Sequence, residues 1–334
     1  MAHRPFATYG EFLARLYGQN QFAIKLGLDT IRTALLEEGS PERRAPAILV
    51  AGTNGKGSTS AYLGAILQAH GLMVGLYTSP HLVDLRERFR IGGRPVSEAL
   101  AFEVGGDVLS RYATPTSRRG ALTFFELTTL MAAMIFSRAS VDVAIYEVGL
   151  GGRLDAVNGI EPALSVVTTI DLDHQQYLGD TLEAIASEKC GIFRETAPAI
   201  VGFQTHRSAL EICRERAPHE VEVAGEDFDE GDLGGAIEHA PQVMRKNAAA
   251  AYAAARRYLG PDFDAIRAKE GLESARWPGR LDVRELNVAG CGRRRFLLDA
   301  AHNPAGVTAL MEFIEAREIP IGAVVCGAMK DKAL

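Results

Sequence analysis

The sequence predicts an α/β protein in which a parallel β-sheet carries helices on both faces. Short apolar runs suited to buried strands alternate along the chain with helical patterns, which is the order that βαβ units require. Glycine-rich or polar groups follow several of these runs. Open parallel sheets bind ligands outside the carboxyl ends of their strands. The fold class and the position of a binding site are therefore predicted together.

The first elements follow this alternation. Residues 8–38 place apolar residues at helical spacing, with a break at Gly27. The wholly apolar run Ala47–Ala51 is typical of a strand that is buried on both faces of a sheet. A glycine-rich turn comes next, and the sequence then predicts a helix over 58–70 and a second strand over 73–77.

The alternation continues through the middle of the chain and then weakens. The apolar runs predict, in order, a buried helix over 125–136, strands over 141–147 and 164–170, a helix over 181–190 and a short strand over 199–202. The acidic segment 219–240 has no clear period and indicates loops. The Ala-rich segment 247–259 predicts a helix.

A chain of 334 residues suggests two domains, and the Arg-Trp-Pro-Gly break at 276–279 is a plausible linker between them. We expect one domain over 1–277 and a smaller α/β domain over 278–334. The patterns of the smaller domain predict a strand over 296–300, a helix ending near 317 and a strand over 323–326. Because one β-α-β unit is too small to close a domain, we expect this second domain to be truncated.

Composition excludes several classes of protein. A net charge of −6 argues against broad binding to nucleic acid or to acidic membranes. No apolar run is long enough to span a bilayer, and residues 1–6 lack the apolar core of a signal peptide. The four cysteines form no CxxC pair, which suits a reducing compartment. We expect a cytoplasmic monomer with small-molecule partners.

The segment 52–58, G-T-N-G-K-G-S, carries the strongest local signal, and we call it the phosphate loop. It follows a predicted strand and opens a predicted helix, so its backbone N–H groups and the helix N-terminus can hold phosphate, with Lys56 on the outer phosphates. Its match to the usual motif is imperfect, because Val50 replaces the first glycine and Gly57 displaces the hydroxyl to Ser58. The alternative is a glycine-rich turn with a solvated lysine.

Three other strand ends carry polar groups. Glu147 ends a buried strand, where a carboxylate costs free energy unless it is paired or binds a cation, so it is a candidate Mg²⁺ ligand. Pairing with Arg153 is the alternative for Glu147. The segment 77–81, Y-T-S-P-H, fits a site or a simple Ser-Pro turn. His174 follows the strand at 164–170 and could bind a metal, transfer protons or serve only as a structural hydrogen-bonding residue.

Two later segments give weaker signals. By its helical pattern alone, Lys189 would be a surface lysine. Asp299 and His302 follow a predicted strand and could face a ligand across a cleft between the domains. Asn303 could be only the N-cap of the helix that Pro304 begins.

Taken together, these motifs resemble the folylpolyglutamate synthase/dihydrofolate synthase family of the Mur ligase superfamily. The resemblance extends from residue 24 to residue 331. Its carriers are I-K-L-G-L (24–28), A-G-T-N-G-K-G-S (51–58), Y-T-S-P-H-L (77–82), L-T-F-F-E (122–126), E-V-G-L-G-G-R-L-D-A-V-N (147–158), L-D-H (172–174), S-E-K-C-G-I-F-R (187–194), N-A-A (247–249), P-G-R (278–280), D-A-A-H-N-P (299–304) and G-A-M-K-D-K (327–332). Each string is weak alone, whereas their order and spacing are specific.

The resemblance implies a Mur-ligase-type central domain with a phosphate loop, a smaller Rossmann-like C-terminal domain, and an ATP-dependent ligase reaction. In this family ATP phosphorylates the carboxylate of a pterin-linked benzoate. The amine of L-glutamate then attacks the acyl phosphate and expels phosphate. Positioning and charge neutralisation would dominate such catalysis, because phosphate is already a good leaving group.

The resemblance also implies roles for the matching positions. Contacts to ATP would come from Thr53, Asn54, Gly55, Lys56, Gly57, Ser58, Asn247, Arg280, Asp299 and His302. Two Mg²⁺ ions would be held by Ser79, Glu147, His174 and Lys189, the last of which is carbamylated in the family. The catalytic residues would be Lys56, His174 and Lys189. The pterin pocket would contain Thr123, Phe124, Phe125, Glu126, Leu154, Asp155 and Ala156.

Two other functions fit parts of the pattern. A Mur-type ligase of peptidoglycan precursors would share the phosphate loop, but only about fifty residues precede Gly52, and those enzymes usually carry a longer domain there. A nucleotide-dependent switch protein would not need Ser79, His174 and Lys189 together.

The sequence departs from the family pattern at Lys25, which stands where many family members carry an acidic residue.

Overall fold

The computed structural model describes residues 6–19, 27–116, 120–290 and 292–327. Outside these ranges lie residues 24–26 of the motif at 24–28, which include Lys25, and residues 328–332 of the motif at 327–332.

An eight-stranded sheet forms the centre of the molecule, in the order β4-β3-β2-β5-β1-β6-β7-β8. Six neighbouring strands, from β2 to β8, are parallel, and β3 and β4 form an antiparallel edge. The strands are β1 (Ala47–Ala51), β2 (Val74–Tyr77), β3 (Phe89–Ile91), β4 (Arg94–Pro95), β5 (Val143–Glu147), β6 (Pro162–Val167), β7 (Ala199–Val201) and β8 (Val221–Val223). The carboxyl ends of β1, β2, β5 and β6 therefore lie at the same end of the sheet, and the segments that follow these strands start there.

Helices cover both faces of this sheet, as the sequence predicts. One hydrophobic cluster contains Leu49 of β1 with residues from seven of the helices, six longer ones and a short one after β6, and a second contains Ile48 and Val50 of β1 with residues from three others. The first face carries α1 (Tyr9–Tyr17), α2 (Asp29–Glu37), α4 (Glu98–Tyr112), α5 (Phe124–Arg138), α7 (Leu182–Lys189) and α8 (Arg207–Arg216), and the second carries α3 (Lys56–Ala69), α9 (Gln242–Leu259) and α10 (Ala265–Ser274). The short α6 (Gln175–Leu178) follows β6. Alternate residues of β1 thus fill two separate cores, which explains why every residue of this strand is apolar.

Several elements differ from the sequence-based expectation. The helix α3 begins at Lys56, two residues earlier than predicted, and the strand β6 ends at Val167 rather than at residue 170. The segment 219–240 is not only loop, because Val221–Val223 pairs in parallel with β7. Only three residues form this strand, which is too short for a periodic pattern to appear in the sequence.

The region after residue 278 is not the predicted β-α-β unit. The antiparallel hairpin of β9 (Asp282–Val288) and β10 (Gly292–Leu298) precedes α11 (Pro304–Ala316). The strand predicted over 296–300 is therefore part of β10, and the strand predicted over 323–326 is wrong. In this structure Val324 and Val325 are exposed, and no strand of the described chain pairs with them.

Across the described ranges, no helix combines the length and the apolar character that crossing a membrane would require.

Candidate active site

The phosphate loop joins β1 directly to α3. Two of its glycines adopt the left-handed region, with φ of 147° at Gly52 and 87° at Gly55. Gly55 is the N-cap of α3, and no side chain caps this end of the helix. The first N–H groups of a 14-residue helix therefore point out of the loop without a side-chain acceptor, which is the arrangement that binds phosphate. The loop-and-helix prediction for 52–58 is confirmed.

Gly52 has no room for a side chain. An ideal Cβ there would lie 1.9 Å from Oγ1 of Thr168, a hydroxyl that donates hydrogen bonds to the carbonyl oxygens of Ala51 and Asn54. We expect Gly52→Ala to displace the loop and raise the dissociation constant of an ATP analogue by roughly 100-fold.

Isothermal titration calorimetry with a non-hydrolysable ATP analogue measures this effect. Gly71→Ala is the matched control, because Gly71 also has a positive φ, of 92°, yet nothing lies within 4 Å of its ideal Cβ. Equal affinities for the two variants would show that a side chain at residue 52 does not displace the loop through contact with Thr168.

Two lysines donate hydrogen bonds to the same carbonyl oxygen of the phosphate loop. Nζ of Lys56 donates to the carbonyl oxygens of Gly52 (3.0 Å) and Thr53 (3.1 Å), and Nζ of Lys189 donates to the same Gly52 oxygen at 2.9 Å. Burial lowers the pKa of Lys56. Burial, followed by the charge of Lys56, lowers the pKa of Lys189 to about 7. The expectation that the pattern alone gives, a surface position for Lys189, is wrong, because only 4% of this residue is exposed.

Glu147 ends β5 beside the segment that follows β2. Its Oε2 accepts a hydrogen bond from the backbone N–H of Ser79 at 3.0 Å. Burial raises the pKa of Glu147, and the nearby charge of Lys56 opposes this rise. The alternative pairing with Arg153 is wrong, because that guanidinium binds Glu188, with its nitrogens at 3.0 Å and 2.8 Å from Oε1. Glu147 is thus a buried carboxylate that is available to a cation.

His174 lies at the end of the sheet with a left-handed backbone, φ of 52°, at the start of α6. Its Nε2 is 3.8 Å from Oδ2 of Asp173, and Nε2 of His302 lies 3.7 Å from the same oxygen. One carboxylate therefore sits between imidazoles from two distant parts of the chain. Among the described residues, no group of three or more His, Cys, Asp or Glu side chains is arranged as a complete metal site.

Asp155 is held in the loop after β5 by backbone donors. Its carboxylate accepts hydrogen bonds from the N–H groups of Gly149, Leu150 and Val157 at 2.9–3.1 Å. Burial raises its pKa to about 6, although these donors favour the charged form. Asp155 therefore shapes the glycine-rich loop beside Glu147.

The residues of the expected pterin pocket begin α5. Thr123 and Glu126 form a capping box, with Thr123 N–H donating to Glu126 Oε2 at 2.8 Å and Glu126 N–H donating to Thr123 Oγ1 at 3.2 Å. The other carboxylate oxygen of Glu126 is buried without a hydrogen-bond partner in the described structure. Phe124 is 4% exposed, and the guanidinium of Arg88 lies 5.2 Å from the centre of its ring. A ligand that stacks on Phe124 must therefore displace neighbouring groups.

The chain after the linker completes the site. Asp299 accepts hydrogen bonds from the N–H groups of Leu281 (2.8 Å) and Ala301 (2.7 Å). Nδ1 of His302 is 3.0 Å from the carbonyl oxygen of Ala300. Arg280 lies close enough to both groups for its charge to add to the effect of burial, which lowers the pKa of Lys56, and to oppose the effect of burial, which raises the pKa of Glu147. The end of the hairpin and the start of α11 thus face the phosphate loop.

One cavity of about 820 Å³ collects most of the predicted site residues. Its lining contains Thr53, Asn54, Gly55, Lys56, Gly57, Ser58, Ser79, Glu147, His174, Lys189, Asn247, Arg280, Asp299 and His302. Among the predicted pterin-pocket residues, Thr123, Phe124, Phe125, Glu126, Leu154, Asp155 and Ala156 are outside this lining in the part of the chain that the structure describes. The ATP and metal residues expected from the sequence therefore meet, and the pterin residues lie apart from that cavity.

Asp173 and Gln204 are among the cavity residues that the sequence does not predict. Asp173 was passed over in favour of its neighbour His174, although it precedes that histidine in the L-D-H motif. Gln204 lines the cavity and joins two strand ends, since its Oε1 accepts from Ile170 N–H and its Nε2 donates to the carbonyl oxygens of Thr168 and Gly202, each at 3.0 Å. No local pattern distinguishes Gln204, because two of its three partners, Ile170 and Thr168, are 34 and 36 residues away.

Known proteins share this arrangement. The model of the Mur ligase middle domain matches residues 50–232. The chain is 34% identical over 97% of its length to a probable bifunctional folylpolyglutamate synthase/dihydropteroate synthase of Haloferax volcanii, and it covers 41% of that protein. It is 36% identical over 91% of its length to the dihydrofolate synthase/folylpolyglutamate synthase of Escherichia coli, of which it covers 71%.

A solved structure gives the same relationship. The Escherichia coli FolC in complex with DHPP and ADP superimposes with a TM-score of 0.79 at 34% sequence identity, and the match covers 95% of this chain and 76% of the other. The chain thus spans about two fifths of the bifunctional relative and about three quarters of the other two proteins. Sequence identity, matched length and fold agree, and the chain belongs to the dihydrofolate synthase/folylpolyglutamate synthase family of the Mur ligases.

Proposed function

We propose that this protein is an ADP-forming ligase that joins L-glutamate to dihydropteroate, to reduced folates or to both, through an acyl-phosphate intermediate. The observation that carries the proposal is the convergence of an uncapped helix N-terminus, the buried carboxylate of Glu147, the buried Lys189 and the partly buried Lys56 on one cavity. Such a site can hold a nucleotide and neutralise charge on a transferred phosphoryl group. Membership of a folate ligase family supports the choice of acceptor.

For ATP, we propose that the backbone N–H groups of residues 55–58 bind the phosphates. Lys56 would place its charge on the outermost phosphate; its Nζ now donates to two carbonyl oxygens, and the third N–H of the ammonium group is left for the phosphate. Asn247 of α9 and the group Arg280, Asp299 and His302, which line the same cavity, would bind the rest of the nucleotide.

The residues beside the phosphate loop also fit magnesium. Glu147 is 5% exposed, and Ser79 N–H is its one hydrogen-bond donor in the described structure. A buried carboxylate with spare acceptor capacity favours a hard divalent cation. Glu147, the hydroxyl of Ser79, His174 and Lys189 would hold one or two Mg²⁺ ions. When bound, magnesium would neutralise phosphate charge during transfer.

The chemistry that we propose has two balanced steps. An oxygen of the acceptor carboxylate attacks the γ-phosphorus of ATP, which forms the acyl phosphate and releases ADP. The glutamate amine then attacks the acyl carbon and loses a proton, and inorganic phosphate leaves. The protein's contribution is to align these groups and exclude water, while His174, with the carboxylate of Asp173 beside it, is placed to hold a proton.

Lys189 would act as a carbamate. A neutral lysine amine adds to CO₂ and releases a proton, and the product is a carboxylate-like group. The pKa of the Lys189 amine is about 7, so the neutral amine is available at physiological pH. A negative group beside Lys56 would also remove the repulsion between two ammonium groups that share the Gly52 oxygen.

We place the pterin at the start of α5 and the loop after β5, where Thr123, Phe124, Phe125, Glu126, Leu154, Asp155 and Ala156 lie. The unpartnered Oε1 of Glu126 is an acceptor suited to the N–H groups of a pterin ring.

We also propose residues 1–277 and 278–334 as the two domains. We further propose a cytoplasmic monomer with small-molecule substrates.

A substrate-dependent ADP release assay tests the proposal. With ATP and Mg²⁺ present, we expect repeated turnover to ADP only when L-glutamate is added with dihydropteroate or tetrahydrofolate, and the glutamylated product to appear by mass spectrometry. ADP release with a UDP-muramyl peptide instead would favour a peptidoglycan ligase. ADP release that needs no acceptor would contradict both ligase readings.

A further inference from the structure

Asn303 connects the chain after the linker to the phosphate loop. It is 4% exposed and precedes α11 within the C-terminal segment, by which we mean residues 278–327. Its Oδ1 accepts a hydrogen bond from Gly306 N–H at 2.8 Å, so it is the N-cap that the sequence allowed. Capping needs only the side-chain oxygen, and it leaves the amide nitrogen to be explained.

The amide of Asn303 makes a reciprocal pair with the amide of Asn54. Asn303 Nδ2 donates to Asn54 Oδ1 at 3.0 Å, and Asn54 Nδ2 donates to Asn303 Oδ1 at 3.4 Å. The second proton of Asn303 Nδ2 points to Oδ2 of Asp173 at 3.4 Å. The buried amide thus uses two donors and two acceptor positions, its full capacity. Serine or aspartate could cap α11, but neither could make this set of bonds.

Asn54 is fixed by its own backbone. Its N–H donates to the carbonyl oxygen of Thr169 at 3.3 Å, and its carbonyl oxygen accepts from Oγ1 of Thr168 at 2.7 Å. The main chain of this loop residue is therefore tied to the sheet, while its side chain is committed to Asn303. Asn54 gives the C-terminal segment a rigid docking point inside the phosphate loop.

We propose that Asn303 is a positioning residue, which acts through Asn54 to hold the C-terminal segment against the phosphate loop. The inference rests on the proposed function and deepens it, because it explains how Arg280, Asp299 and His302 come to face Lys56 across one cavity. The side chain of Asn54 then serves docking rather than direct contact with ATP. Nucleotide affinity depends on the pair as a unit.

A double-mutant cycle tests this pairing. The variants are Asn54→Ala, Asn303→Ser and the double variant, in the full chain. Serine keeps an acceptor for Gly306 N–H and removes the amide. Because each single change strands a buried partner, we expect each to raise the dissociation constant of AMPPCP by roughly five- to tenfold, and the double variant to be no weaker than either single variant.

A cap variant far from the cavity separates docking from helix stability. Asp264 caps α10 by accepting hydrogen bonds from the N–H groups of Ile266 and Arg267. Asp264→Ala should lower the melting temperature and leave AMPPCP affinity unchanged. Asn303→Ser should weaken AMPPCP binding by the five- to tenfold given above, at a cost in melting temperature no larger than that of Asp264→Ala.

Two results would overturn the inference. Additive losses in the double variant would show that the two amides act separately. A loss for Asn54→Ala with unchanged affinity for Asn303→Ser would place Asn54 directly on the nucleotide. AMPPCP binding needs no glutamate transfer, so a coupled pair without pterin-dependent turnover would support the docking role and refute the proposed ligase. Failure of the unaltered chain to bind AMPPCP would refute both.

Discussion

Lys56→Met is expected to lower the rate of pterin-dependent ADP formation by about 100- to 1,000-fold, while the fold is retained. Lys56 is the first residue of α3, and its amine lies within the phosphate loop at 3.0 Å from the Gly52 oxygen. Its ammonium group is placed to neutralise the negative charge that develops on the leaving phosphate. Methionine preserves the length and the apolar stem of lysine, so the change removes chiefly the charge.

Steady-state kinetics with saturating pterin and glutamate measure this effect. Lys269→Met is the control, since Lys269 also donates to a backbone carbonyl, that of Gly234, but on the exposed surface. We expect the control to retain full activity, and both variants to melt within a few degrees of the unaltered protein, as surface or charge-only changes usually do. Near-normal turnover by Lys56→Met would contradict the assignment of the loop to phosphoryl transfer.

Lys189→Ala and Lys189→Arg are both expected to lose roughly 100-fold or more of the ligase activity. Alanine removes the group, and arginine keeps a positive charge that cannot form a carbamate. If Lys189 served only as a cation, the arginine variant would be the more active of the two. Equal loss in both variants therefore distinguishes a carbamate from an ammonium group.

The pH dependence gives a second readout for Lys189. Its ordinary pKa is 10.5, and burial together with the charge of Lys56 lowers it to about 7. The neutral amine, which is the form that reacts with CO₂, thus accumulates as the pH rises through about 7. We expect bicarbonate to stimulate CO₂-depleted enzyme increasingly from pH 6 to pH 8, and to leave both Lys189 variants unaffected. Stimulation of Lys189→Arg would exclude this residue as the target.

The elements that the sequence predicts well are those specified by neighbouring residues. The strand Ala47–Ala51 is found as predicted, because five consecutive apolar residues suit a strand with a core on each face. The phosphate loop follows from small residues between a strand and a helix. By contrast, the hairpin of β9 and β10 was missed, since exposed and charged residues give it no apolar period. The glycines Gly290 and Gly292, both with positive φ, are the local signal for its turn.

For the candidate site, the resemblance predicted the residues that would bind ATP and metal, and the structure brings these residues together in one cavity, while their roles stay predictions. The pterin residues remain a prediction, because they lie outside that cavity in the described structure. The helical pattern also gave the wrong expectation for the exposure of Lys189. Its immediate neighbours indicate a surface position, whereas packing of α7 against the sheet buries it.

The sequence by itself determined the α/β class, the phosphate loop at 52–58 and the family, because these depend on residue type and spacing along the chain. Only the tertiary structure decided that Lys189 meets the Gly52 carbonyl across 137 residues, and that Asn303 meets Asn54 across 249. Burial, pKa and hydrogen-bond partners are set by whichever groups the folded chain brings within a few ångströms. No local pattern carries that information, since the same lysine is a solvated cation or a buried neutral amine according to its neighbours in space.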